Sequence, residues 1–473
     1  MVSAYDVVII GAGVTGCAIA RELSKYDLKT ALLDKEAEAS FGASKANSGI
    51  VHAGFHSAVG MLKSALCVRG NYLYGVLKDE LDIPFERVGE LMVARGEEEE
   101  KKLEFYLNQG IALGVPDLKI VCGDELKALE PHLSKDITAA LYAKSAGVVN
   151  PYEFTYRLLY NAVQNGVEFH PNAQATGFDG DIVHTPAGDF KAKFIINAAG
   201  VHADDVAALA GVKTFEIKAR KGQEYLLDRK CKELARHVIF PLPTPTSKGV
   251  LVIPTLDGTV MIGPSAEDTP EKEKFNTTNE IFEDILAKTQ SMIPAVSAKN
   301  LISAFAGLRP VATGDDFIIG PTARKGFINA AGIQSPGLTA APAVAEYMAD
   351  ILKKEGLTLT PKENFNPRVP RHFKMKDLSE SELAALIAQN KQYGKVVCRC
   401  EKVSEAEIRQ AIREGATTLD GVKLRTRAGM GRCQGGFCTY RILEIMSEEL
   451  GLPLTEITKK GAGSRLVEKD LKQ

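Results

Sequence analysis

Two periods of apolar residues alternate along the first 360 positions. Residues 6–10, DVVII, are an unbroken apolar, β-branched run, as expected of a strand covered on both faces. From Val14 to Ser24 apolar residues recur at helical spacing, and KTALLD then predicts a second parallel strand ending at Asp34. FIINAAGVHADDVAALAG, residues 194–211, predicts a third buried strand ending at Ala199-Gly200. KGFINAAGIQSPGLTAAPAVAEYMADIL, residues 325–352, predicts a fourth, then a Gly/Ser/Pro turn and a helix whose N-terminus follows Pro336-Gly337. Two long intervals, about 80–145 and 215–300, break this series. In the first, LDIPFERVGELMVARGEEEEKKLEFYLNQG predicts a strand and a helix whose EEEEKK run is a solvated face, with glutamates at the positive end of the dipole. In the second, the LDG turn between the β-rich runs of GVLVIPTLDGTVMIGPSAED predicts a hairpin.

Past residue 360 the pattern changes. PKENFNPRVPRHFKMKD, rich in proline and charge, reads as a linker, and SESELAALIAQN as a short helix. In SEAEIRQAIREG, Ser404 and Glu407 form a capping box, Ile408, Ala411 and Ile412 an apolar stripe, and Gly415 a stop. A further helix ends at Gly451.

With 473 residues, the chain is too long for one simple core, and two or three domains are expected. A net charge of −2 gives no general attraction to nucleic acid or anionic lipid. No apolar run is long enough for a transmembrane helix, and VVII leads into a glycine turn without a basic region or cleavage site. The expected location is the cytoplasm, with any membrane association made through a partner. There, eight cysteines point to metal binding, catalysis or inert packing rather than disulfides. Cys17, Cys67, Cys122 and Cys231 are scattered and read as small buried or incidental residues; the other four follow residue 395.

The chemistry at the front lies in Gly11, Gly13 and Gly16, a G-x-G-x-x-G between strand and helix. Gly11 permits the tight turn, Gly13 the approach of a pyrophosphate, and Gly16 close helix–strand packing. The helix N-terminus offers free N–H groups and a positive dipole end to phosphates, and Asp34 lies where an acid binds a ribose hydroxyl. The small residues of FGASKANSGIVHAGF, 41–55, would let backbone approach a flat ligand. At the back, Cys398 and Cys400 (C-x-C) and Cys433 and Cys438 (four residues between them) can surround one metal centre. Thiolates select zinc or iron–sulfur, and C-x-C suits zinc less well. A cysteine-rich domain holding no metal is the third possibility.

These pieces together resemble the D-amino-acid oxidase superfamily of FAD enzymes, and within it the glycerol-3-phosphate dehydrogenases and L-2-hydroxyglutarate oxidases. The likeness covers nearly all of 1–360 and rests on NSGIVHAG, GLRP and SPGLTAAP, in that order. The C-terminal cysteines resemble the bacterioferritin-associated ferredoxin domain, which binds a 2Fe-2S cluster. That family often has two residues between its last pair of cysteines, whereas this chain has four.

The resemblance implies an α/β fold. A Rossmann-type FAD-binding domain (1–80, 146–214 and 301–360) would carry an inserted antiparallel-sheet substrate or cap domain (81–145 and 215–300). A linker (361–394) would lead to a small helical four-cysteine, ferredoxin-like domain (395–473). It implies FAD contacts from Gly11, Gly13, Gly16, Asp34, Ser44, Asn47, Ser48, Ala199, Gly200, Gly332, Gly337, Leu338 and Thr339.

For the substrate, a small anionic alcohol, Arg309 in GLRPVATGDD is the first candidate cation. Its planar fork suits carboxylate or phosphate, and the resembled family grips its substrate from this setting. The alternative is an ion pair with Asp315 or Asp316. Lys221 is a second cation or an exposed strand lysine. His52 is the candidate base, or a histidine packed behind the flavin, with His56 as fallback.

The implied activity is oxidation of sn-glycerol 3-phosphate to dihydroxyacetone phosphate by hydride transfer to flavin. Electrons would leave through the 2Fe-2S cluster to a partner subunit in a hetero-oligomer, an NADH- or quinone-linked flavoprotein. Only one G-x-G-x-x-G is present, so no NADH site is expected in this chain. Many glycerol-3-phosphate dehydrogenases carry GGKLTTYR where this chain has AGIQSPGLTAAP, without a cation. An L-2-hydroxy dicarboxylate such as L-2-hydroxyglutarate therefore stays open as substrate. So does a non-catalytic electron-transfer subunit.

Overall fold

The computed structural model describes residues 3–243 and 249–469. The excluded stretches 1–2, 244–248 and 470–473 fall within the first, cap and C-terminal domains expected from sequence, and lie outside the described residues.

The strand Ser3–Ile10 lies between Thr30–Leu33 and Gly188–Asn197, parallel to both. Glu168–His170 and Phe327–Ala331 extend the parallel set outward. Successive side chains of a strand point to opposite faces. Val7, Ile9, Leu32 and Ile196 accordingly pack on the helices Val14–Leu23, Leu62–Leu81, Pro151–Gln164 and Gly337–Lys354. Val8, Ile10, Leu33 and Ile195 pack on the other face, against Ala203–Leu209 and the antiparallel 177–191 hairpin.

Among the described residues, the second sheet has nine strands. Its spine is Ile217–Leu227 paired with Leu301–Ala312, antiparallel from Ile217↔Ala312 to Leu227↔Leu301. Residues 301–312, placed by the sequence reading in the cofactor domain, are therefore part of this sheet. The expected hairpin is present, with Leu251–Pro254 antiparallel to Val260–Gly263.

Residues 361–394 are more than a tether. Asn161 and Asn165 donate to the Asn366 carbonyl oxygen, Arg157 to that of Pro370, and the Val369 N–H to that of Glu80. The stretch is strapped to the first domain before it forms the helix Glu380–Gln389. Beyond it, the capping box of Ser404 and Glu407 opens the helix Glu405–Arg413, whose Ile408, Ala411 and Ile412 are buried. Among the described residues, no helix is long and apolar enough to cross a membrane.

Candidate active site

One cavity of about 2060 Å³ runs between the two sheets and the C-terminal domain. That exceeds the 300–1,000 Å³ usual for one small ligand and leaves room for a dinucleotide and a substrate. At one end the Val14–Leu23 helix begins. A side chain on Gly11 would lie 2.4 Å from the Ala198 carbonyl oxygen, and one on Gly16 1.8 Å from the Gly11 oxygen, so both close a tight strand–helix joint. A Cβ on Gly13 would meet only Ser44 Oγ, at 3.2 Å, which leaves the helix end open to a phosphate. Ser44 Oγ accepts the Val14 N–H. Asp34 accepts the N–H groups of Ala12 and Glu36; burial pushes its carboxyl up to about 6 against those two donors.

Of the sequence candidates for the cofactor, Gly11, Gly13, Asp34, Ser44, Asn47, Ser48, Ala199, Gly200, Gly337 and Leu338 line the cavity. Gly16, Gly332 and Thr339 lie outside its wall. Thr339 Oγ1 instead accepts the His52 N–H and donates to the Ile50 carbonyl oxygen, fixing the short strand Ile50–Val51 and His52 just after it.

Lys221 also lies off the cavity. Arg220, Gly222, Glu224 and Leu226 of its strand face the ligand space, so Lys221 points the opposite way, buried with Glu267 at 3.6 Å and Asn276 at 3.4 Å. It is neither the second cation at the cavity nor the exposed strand lysine considered from sequence.

Arg309 lies on the wall opposite Arg220 in strand register. Asp268 neutralises Arg220 at 2.6 Å. Arg309 has no carboxylate in ion-pair contact among the described residues: Asp315 pairs with Lys63, and Asp316 accepts the Leu62 and Lys63 N–H groups. Its Nη2 donates to the Ser265 carbonyl oxygen at 2.7 Å. Burial lowers its pKa, yet a guanidinium stays charged in a protein. It is a half-buried cation with donors to spare.

His52 and His56 both line the cavity and share Glu90, which is fully buried. Burial alone would raise the Glu90 carboxyl; His56 and His52 override it and hold it well below the usual carboxylate range. Glu224, overlooked at the level of sequence, accepts a hydrogen bond from Ser48 at 2.5 Å, and burial pushes it up to about 7.

The four C-terminal cysteines converge in crossed pairs, one member from each motif. Cys400 and Cys433 Sγ are 3.7 Å apart, close to the edge of a sulfur tetrahedron around a metal at about 2.3 Å. Cys398 and Cys438 are in hydrogen-bonding contact, which draws the Cys398 thiol down and pushes that of Cys438 up. A Cβ on Gly431 would lie 2.2 Å from that of Cys400, so only glycine lets the two loops meet. Four converging thiols, two of them (Cys398 and Cys433) drawn toward the thiolate, fit a metal–sulfur centre. Just beside it, Met430 and Gln434 of the same loop line the cofactor cavity. Cys17, Cys67 and Cys231 are buried and Cys122 is exposed.

Residues 6–351 match the family described as FAD dependent oxidoreductase, and residues 396–448, with all four cysteines, match the BFD-like [2Fe-2S] binding domain. The chain is 44% identical over 470 residues to a glycerol 3-phosphate dehydrogenase of Caloramator mitchellensis, covering 98% of each chain. It is 31% identical to the mitochondrial L-2-hydroxyglutarate dehydrogenase of Caenorhabditis elegans, over 58% of this chain and 66% of that one. Among solved structures, L-alpha-glycerophosphate oxidase from Mycoplasma pneumoniae, reduced with dithionite and with FAD bound, superposes with a TM-score of 0.74 at 32% identity, covering 78% of this chain and all of that one. The open glycine turn and the acid at the second strand fall within the first match and the crossed thiol pairs within the second; the chain belongs to the FAD dependent oxidoreductases, with a BFD-like [2Fe-2S] binding domain on the C-terminal side of the flavin domain.

Proposed function

We propose that the chain oxidises the secondary hydroxyl of sn-glycerol 3-phosphate, giving dihydroxyacetone phosphate, and sends the electrons through the C-terminal domain to a partner protein. The observation that carries this is Arg309, a half-buried cation facing the cavity with no carboxylate in ion-pair contact among the described residues. Burying such a charge is costly unless an anion completes it, and the forked donors suit a phosphate. His52 on the same cavity takes the hydroxyl proton as general base. When bound, FAD supplies the hydride acceptor and the 2Fe-2S cluster a one-electron carrier. The full-length relative is itself a glycerol 3-phosphate dehydrogenase. Met430 and Gln434, on the cluster-binding loop and on the cavity wall at once, support a short route between the two centres.

Anaerobic addition of glycerol 3-phosphate should bleach the flavin absorbance, while glycerol should not. Arg309→Ala should lower kcat/KM on the order of a hundredfold, the loss of a charge-assisted bidentate contact worth a few kcal/mol. Bleaching by L-2-hydroxyglutarate alone would move the assignment to the 2-hydroxy acid. Bleaching by neither would leave the electron-transfer subunit as the better reading.

A further inference from the structure

We infer that Glu90 and His56 are positioning residues that hold His52 by its Nδ1 edge and turn its Nε2 toward the reacting hydroxyl; this rests on the reading of His52 as the base. Glu90 opens the strand Glu90–Ala94 of the cap sheet and is 0% exposed. Its Oε1 accepts the Ala53 N–H at 3.2 Å. Its Oε2 lies 3.6 Å from His52 Nδ1 and 3.4 Å from His56 Nε2. The side-chain ligand atoms of the three residues all fall within 4.8 Å of one another.

The far edge of the His52 ring, Nε2, faces Ser335 Oγ at 3.5 Å, and both residues line the cavity. The rings cannot turn freely. Phe240 packs on both imidazoles, with centroids 5.7 and 4.7 Å away, and Phe55 stacks on His56 at 4.2 Å. The neighbouring elements bring no other charge to Glu90 among the described residues: its strand partners are Ala143 and Val238, and the Leu62–Leu81 helix contributes Cys67 and Asn71, which contact the His52 carbonyl oxygen. The nearby His237 is taken up by Glu130 at 2.9 Å.

A fully buried carboxylate with only imidazoles as cationic partners has two consequences. It favours the tautomer with the proton on Nδ1, which makes Nε2, the edge beside Ser335 Oγ, the proton-accepting nitrogen. It also stabilises the imidazolium that forms when the substrate hydroxyl gives up its proton, as a buried acid does for a general-base histidine. His56, on the same oxygen, helps keep Glu90 ionised while His52 is neutral.

The test is anaerobic flavin reduction by glycerol 3-phosphate across pH, on holoenzyme of verified FAD and iron content. Glu90→Gln keeps the shape and removes the charge. It should slow reduction by a large part of the roughly 100- to 10,000-fold that a general base contributes, with little change in the half-saturating substrate concentration. The acid limb of the rate profile should move to lower pH, because the imidazolium has lost its counter-charge. Glu90→Asp should recover part of the rate, and His56→Gln, which removes a cation competing for the same carboxylate oxygen, should move the limb to higher pH. If Glu90→Gln leaves both rate and limb unchanged, or lowers FAD content alone, the positioning role is wrong. A metal ion bound by these three residues would also overturn it, since Nδ1 would then be a ligand. Should His52→Gln reduce flavin at full rate, the base assignment itself has failed, whatever Glu90 does.

Discussion

Glu224 faces the ligand cavity with one oxygen held by Ser48 and the other, Oε2, without a hydrogen bond among the described residues. Its carboxyl is pushed from 4.5 up to about 7 by burial. An acid with a raised native pKa binds its proton more tightly folded than unfolded. Stability therefore falls as pH rises from about 4.5 to about 7 and stays reduced above that. The span corresponds to about 3 kcal/mol. Cofactor-free Glu224→Gln should match the parent near pH 4.5 and exceed it by about that amount at pH 8, read by urea unfolding at each pH. Parallel profiles for the two proteins would mean that Glu224 does not titrate in this range. The same strand shows why sequence named the wrong residue. KGQEYLL alternates, but both of its faces are covered by protein, so the pattern fixes the period and leaves the phase open. Lys221 took the eye as a cation; Glu224, three residues on, faces the ligand.

At the scale of elements, the strand–turn–helix that opens the chain separates two kinds of glycine. A side chain at Gly16 would lie 1.8 Å from backbone, so Gly16→Val should prevent the joint from folding. At Gly13 the protein itself has room, and a side chain there would fill the place of the pyrophosphate. Gly13→Val should therefore purify folded, with far-UV circular dichroism near that of the parent, but colourless. A yellow Gly13→Val protein would show that the pyrophosphate lies elsewhere. This joint was legible from sequence because its strand, turn and helix are contiguous, so each period announces its element. The Leu301–Ala312 strand was not, because its place depends on Ile217–Leu227, some eighty residues earlier. Local pattern shows that a strand exists and not which sheet recruits it. GLRP was still a sound guide to the site, because Arg309 reaches the cavity whichever sheet owns its strand.

The whole molecule depends on how the cysteine domain is fastened, and here sequence was silent. Glu38, a few residues beyond the second strand and 1% exposed, accepts the N–H groups of Thr417 and Thr418 and pairs with Arg425 at 2.9 Å. Arg425 in turn lies over the Tyr156 ring at 3.8 Å. A second latch is Arg427, bridging Glu401 of the cysteine domain to Asp257 of the cap and donating to Tyr152. Nothing in EAEAS at 36–40 marks one glutamate as a latch, because its partners lie about 380 positions away. Both latches border the loop that carries Met430 toward the cavity. Replacing Glu38 by Ala leaves Arg425 buried without its counter-charge, a change that typically costs 3–5 kcal/mol. The cysteine domain has a core of its own, and among the described residues only Leu424 and Met430 join it to the core of the first domain, so the loss should fall on their docking. Glu38→Ala should retain full FAD, iron and sulfide. Its 361–394 strap should be cut faster by protease, because loosening the docked domain also loosens the segment that ties it down. Flavin reduction by substrate should be unchanged, and so should turnover with a two-electron dye. Transfer from substrate to a one-electron acceptor should slow, since that route alone needs the cysteine loop against the cavity wall. If one-electron and two-electron turnover fall together, Glu38 supports the flavin site rather than the docking. If neither falls while proteolysis quickens, the electrons do not pass through this interface.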